Sequence, residues 1–275
     1  MGGAARPGAG GRIGDRVKLH RHRVRLDGRE YTLITPRPGT GVRFSTNRYH
    51  GTWHILSDLR GARLLARLLW GLAYQRVPGT LALIGPPFLD PNPFDAEPAD
   101  PIALVAAQLT GLRAQAARDL RRRLPLGAPD GTVRWQTPGL EHALAACRRW
   151  QRDPPAQWRL PWCPPQGPRT RMDRIGGMLV VMGEARELKT WAVATGRLGD
   201  GLRDGTDSTR LDNEYTGEVL VFTDYRRRVS AARAARREVL ARPDGPRTPA
   251  EQRPLIWQHG AEILACRDRM IVRGG

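Results

Sequence analysis

Asp58 and Asp224 each stand just after a short apolar run and just before a helical pattern. Asp58 follows Trp53-His54-Ile55-Leu56-Ser57, and Asp224 follows Val219-Leu220-Val221-Phe222-Thr223. A carboxylate at such a turn can cap the helix that follows, which is its commoner use. It can also serve a ligand, because ligands of open α/β sheets bind beyond the carboxyl ends of the strands. If the two runs are parallel neighbours, the two carboxylates share one edge. There they would suit a divalent metal and a phosphorylated substrate. Asp58 and Asp224 are therefore the candidate catalytic residues of a nucleotide or phosphate-ligand enzyme.

The second chemistry is phosphate binding. Arg226, Arg233 and Arg237 fall at i, i+7 and i+11, so they line one stripe of a helix. Arg227 and Arg228 flank that stripe and Arg236 widens it, while Val229, Ala232, Val239 and Leu240 supply the opposite, core-facing side. Guanidinium groups bind phosphates bidentately and without regard to sequence. Arg121, Arg122 and Arg123 either extend the patch or favour a helix C-terminus through the macrodipole.

The chain has 43 arginines but only 2 lysines and 3 asparagines. GC-rich codon usage explains arginine in place of lysine. It does not explain 45 basic residues against 27 acidic ones, or a formal net charge of +18. Polyanions are the expected partners, nucleic acid first, with an acidic protein as the alternative.

Other chemistries find little support. Cys147, Cys163 and Cys266 lie far apart with no CxxC and no nearby His pair, which argues against a zinc site or a disulfide framework. The six histidines form no HExxH; His20 and His22 share one face of a strand and read as basic surface. The acidic segment 200–214, with Asp200, Asp204, Asp207, Asp212 and Glu214, misses EF-hand spacing and reads as a mobile polar loop. There is no Walker A loop, no GxGxxG after a strand and no GxSxG elbow. The stretch His54 to Gly61 misses the Asp-x-His of calcineurin-like metallophosphatases. Trp135, Trp150, Trp158 and Trp162 could stack on bases, though packing is their commoner use. No motif names a cofactor.

The elements that position these residues alternate. Val24 to Leu26 and Tyr31 to Ile34 flank Asp27-Gly28, which predicts a type I′ hairpin. A strand near 52–56, a helix to about Gln75 and a strand at 80–84 have the size of a βαβ unit. The spacing of Leu104, Leu109, Leu112, Ala116 and Leu120 predicts a helix over 102–124. Residues 132–136 read as a strand and 138–150 as a helix. Runs 177–182 and 218–223 are continuous apolar strands of the kind buried on both faces. Helices are expected at 184–195 and 225–242, with short alternating segments at 255–272.

The fold class is therefore α/β, a partly parallel, Rossmann-like sheet flanked by helices, with antiparallel hairpins at the N- and C-terminal ends. Residues 1–16 read as a disordered basic tail. An α/β half spans 17–152, a Pro- and Trp-rich linker or surface loop 153–174, and a second half 175–275; the halves are expected to share one sheet. No run approaches the roughly 20 apolar residues needed to span a bilayer. A cytoplasmic protein with no membrane partner is expected.

Overall fold

The computed structural model describes residues 16–153, 170–211, 216–242 and 248–274. Most of the expected basic tail and of the 153–174 segment, with Trp158, Trp162 and Cys163, lies outside the described residues, as do Asp212 and Glu214.

The chain is a mixed α/β protein with two sheets. Its elements run β1 (Arg16–Leu26), β2 (Arg29–Thr35), β3 (Phe44–Tyr49), β4 (Thr52–Ser57), α1 (Leu59–Ala73), β5 (Thr80–Ile84), β6 (Ile102–Ala106), α2 (Ala114–Arg122), β7 (Gly131–Gln136), α3 (Leu140–Arg152), β8 (Arg171–Ile175), β9 (Met178–Gly183), α4 (Ala185–Gly196), β10 (Thr206–Arg210), β11 (Gly217–Phe222), α5 (Tyr225–Leu240) and α6 (Pro249–Gly274). The larger sheet has the order β7-β1-β2-β5-β6-β9-β8 and the smaller one β10-β11-β4-β3. Parallel pairs are β2 with β5, β6 with β9, and β4 with β11; all other pairings are antiparallel.

Local chemistry explains the ends of several elements. Asp27 and Gly28 both take positive φ, 48° and 72°, and Leu26 pairs with Arg29, as a two-residue type I′ hairpin requires. A second antiparallel hairpin, β10–β11, forms one edge of the small sheet. The Glu187 side chain reaches back to the Glu184 backbone N–H at 2.8 Å and closes the first turn of α4.

The alternation of side chains sorts the sheets into layers. Leu33, Leu83, Val105 and Val180 of the large sheet face α2, through Ala116, Ala117 and Leu120. The opposite residues, among them Ile34, Ile84, Leu104 and Val181, join the inward face of the small sheet, Phe44, Ile55, Val219 and Val221, in one core filled by α1, α3 and α4. The outward face of the small sheet, Leu56 and Phe222, packs under Tyr225 and Val229 of α5. Helix α6 then lies on α5, with Ile256 against Ala235 and Val239. The layers are therefore helix, large sheet, helices, small sheet, helices.

Five expectations change. The strands form two sheets rather than one shared sheet, and each sheet takes strands from both halves of the chain. Residues 102–106 are strand β6, not the start of a helix: five apolar residues in a row are buried on all sides between β5 and β9, and the helix begins only at Ala114. The 52–84 unit is not a βαβ within one sheet, because β4 belongs to the small sheet and β5 to the large. Within the expected loop 200–214, residues 206–210 form strand β10, held by the ladder to β11. Residues 255–272 are helical, since Ile256, Gly260 and Ile263 recur at i, i+4 and i+7 against α5. Pro254 and Gly260, both breakers, obscure that helix in the sequence.

Both continuous apolar runs are interior strands. Every residue of β9 is buried between β6 and β8. In β11, flanked by β10 and β4, Glu218 and Leu220 are only half-buried.

Leu68 on α1 is fully buried between the two sheets. Leu68→Ala should lower unfolding stability by about 2–5 kcal/mol, the range for truncating a core leucine. Arg63→Ala, on the exposed side of the same helix, should change it by less than about 0.5 kcal/mol. Urea denaturation of both variants checks this.

Candidate functional site

Strands β4 and β11 are parallel neighbours, with Ser57 opposite Val221. The helices that follow them leave on opposite faces of the small sheet: α1 goes into the central layer and α5 to the outer one. In α/β sheets a divergence of this kind, at the carboxyl ends of two parallel strands, is the usual ligand position.

Asp58 and Asp224 both lie at this edge, and each serves its own helix. The Asp58 carboxylate accepts from Gly61 N at 2.8 Å as the N-cap of α1. Asp224 accepts from Arg228 Nε at 2.6 Å, one turn along α5. Tyr225 lies beneath them, fully buried, and donates its hydroxyl to Ser45 Oγ at 3.1 Å. Burial pushes that hydroxyl far above its usual pKa; the Ser45 bond opposes this, and the charges of Asp90 and Asp58 add to it. Tyr225 is therefore a fixed, protonated donor. Among the described residues no three His, Cys, Asp or Glu side chains cluster as a metal would require.

The arginines converge in a way the two carboxylates do not. A cleft of about 430 Å³ opens along α5, lined by Arg226, Arg233 and Arg237. Arg43, from the approach to β3, and Arg267, from α6, complete five guanidinium groups around it, with Asp90 and Ser230 as the other polar lining residues. Arg226, Arg227, Arg233 and Arg237 are all exposed. Arg226 donates to the Gly41 carbonyl, and Arg233 to Asp90 at 3.2 Å. Arg267 donates to Ser230 Oγ at 3.3 Å, and Arg43 to the neighbouring Val42 carbonyl at 3.2 Å. Arg237 has no ion-pair partner among the described residues.

Other basic candidates lie elsewhere. Arg228 and Arg236 turn toward the protein, to Asp224 and to the Asp95 carbonyl. Arg121, Arg122 and Arg123 are exposed at the end of α2, which packs on the far face of the large sheet and belongs to a different core. They do not line the cleft. Trp135 is buried against α1, where its ring fills the space beside Gly71. Trp257 and Tyr49, in edge contact at 5.8 Å, are among the exposed aromatics. His20 and His22 line a separate small cavity with Thr35, Leu83 and several prolines rather than forming open basic surface.

Arg43, Asp90 and Arg267 are the lining residues that sequence reasoning missed. Each is remote in sequence from α5 and carries no local pattern; only the tertiary packing brings it there.

No protein-family model matches this chain, and neither does any curated protein or solved structure.

The wall formed by α5 and α6 is tied by His259, whose ring bonds Glu238 at 2.6 Å and Glu262 at 3.2 Å. The Glu238 bond first, and the Glu262 bond second, raise the pKa of His259 above its ordinary value. The clamp is therefore fully present below the ordinary histidine pKa and fades as pH rises through the raised value. His22 is shifted the other way, lowered chiefly by burial. An NMR titration should place the His259 midpoint above about 6.5 and that of His22 below it. Glu238→Gln should bring the His259 midpoint down and leave that of His22 in place.

Proposed function

We propose that this protein binds a polyanion, nucleic acid first, along the arginine face of α5, with backbone phosphates seated in the cleft. The observation that carries this reading is the convergence of Arg43, Arg226, Arg233, Arg237 and Arg267, from three separate parts of the chain, on one concavity. Like charges gathered this closely repel one another, and a single internal carboxylate, Asp90, offsets them only in part. An anion from outside would offset the rest.

The shape favours a polymer over a single phosphate. From Arg226 to Arg237 the helix rises about 16 Å at 1.5 Å per residue, a line of charge rather than a point. The contacts available are guanidinium to phosphate, which position a backbone without reading its bases.

A phosphate-ligand enzyme at the same edge is the second reading. It is favoured by the parallel pairing of β4 and β11, which sets Asp58 and Asp224 at one end of the sheet. It is disfavoured by the engagement of both carboxylates with their own helices. An acidic protein would meet the same arginine face and is the third reading.

Fluorescence anisotropy with labelled duplexes of unrelated sequence should give affinities that fall steeply with salt, with a log–log slope of roughly −0.9 per phosphate contact. Changing Arg226, Arg233 and Arg237 together to Gln should flatten that slope by about two to three units and weaken all sequences alike. Binding unchanged by the triple substitution would remove α5 as the interface. Binding to acidic protein but to no nucleic acid would select the third reading.

A further inference from the structure

The large sheet has its own divergence point. Strands β6 and β9 are parallel neighbours, with Ala106 opposite Gly183. Helix α2, after β6, covers the outer face through Ala116 and Leu120, whereas α4, after β9, enters the central layer through Leu188 and Trp191. At the carboxyl ends of these two strands lies a groove of about 740 Å³, formed by the β6–α2 turn and the start of β8. It is within the size range of small-molecule and cofactor sites.

The groove has two chemically distinct sides. Leu109, Ile175 and Met182 give it an apolar wall, with Gln108 as an adjacent amide. Arg113 and Arg171 stand along it, both exposed and neither with a carboxylate partner among the described residues. Arg113 leads into the first turn of α2, which has no side-chain cap and no acidic residue. Its N-cap position is held by Arg113, which has no carboxylate to offer the open backbone N–H groups. Thr170, on the groove wall, has a buried hydroxyl with no hydrogen-bond partner, an unmet polar group of the kind folded proteins rarely leave.

An apolar wall with an amide beside it, next to uncapped helix N–H groups and two guanidiniums without a carboxylate partner among the described residues, matches the two halves of a nucleotide. We propose that this groove binds a nucleoside diphosphate. The base lies on Leu109, Ile175 and Met182 with Gln108 at its edge, and the pyrophosphate lies at the α2 N-terminus between Arg113 and Arg171. The site is distinct from the α5 cleft, shares no residue with it and does not rest on nucleic-acid binding there.

Calorimetric titration of the full-length protein with ADP, adenosine and pyrophosphate tests this. ADP should bind more tightly than either fragment, because only ADP occupies both sides. Arg113→Gln with Arg171→Gln should weaken ADP at least tenfold and leave adenosine binding nearly unchanged. The Arg226, Arg233, Arg237 triple substitution should leave ADP binding intact even where it abolishes nucleic-acid binding. No heat of binding with ADP would overturn the proposal. So would ADP affinity unaltered by the double substitution, or affinity lost with the α5 substitution instead.

Discussion

Helix α1 is apolar on nearly every side, with eleven of its fifteen residues buried. A helix with so wide an apolar face must be covered on more than one side, leaving only a narrow stripe with Arg60 and Arg63 to solvent. One sheet covers one face only, so enclosure takes two. The chain meets this by placing α1 and α4 side by side between the sheets. Each helix also carries the chain across: α1 leads from β4 of the small sheet to β5 of the large, and α4 from β9 of the large sheet to β10 of the small. Gly71 and Gly183 let this layer close up, since a Cβ at either would meet the ring of Trp135 or Trp191 at 2.5 Å.

The same constraint places the two candidate sites. In each sheet one parallel strand sends its helix into the central layer and its neighbour sends its helix to the outside. That happens at β4 and β11, and again at β6 and β9. Each sheet thus has a divergence point, and at or beside each one lies a cleft or groove containing arginine without a carboxylate partner among the described residues.

How much of this was legible depended on whether the signal was local. The Asp27-Gly28 turn, the Asp58 cap and the arginine stripe of α5 are local patterns, and each could be read from spacing, although Leu240, expected on the core side of α5, is exposed. Strand partners could not. The runs at 52–57 and 80–84 look like neighbours because they are close in sequence, yet they lie in different sheets. Ile102 to Ala106 failed for a second reason: a run buried on both faces has no period of its own, so the helical spacing of the later Leu109, Leu112, Ala116 and Leu120 masked it. The cleft was half legible, since its α5 wall is a local pattern whereas Arg43, Asp90 and Arg267 arrive by packing alone.

Charge placement completes the argument. Residues 86–101 hold four acidic side chains, and the fold spends them on internal bonds. Asp90 meets Arg233, Asp95 and Glu97 meet Arg253 of α6, and Asp100 meets Arg174 of β8. Asn92 fixes this loop by accepting from Phe94 N and Asp95 N, so the acids are presented at set positions. Three of the four tie the loop to α5 and α6, the helices that carry most of the cleft. Acids used this way neutralise Arg233 within the cleft and Arg253 of α6. Among the described residues they leave Arg226 and Arg237 without a carboxylate partner. The positive field is thus concentrated by where the carboxylates are committed, as much as by how many arginines the chain contains.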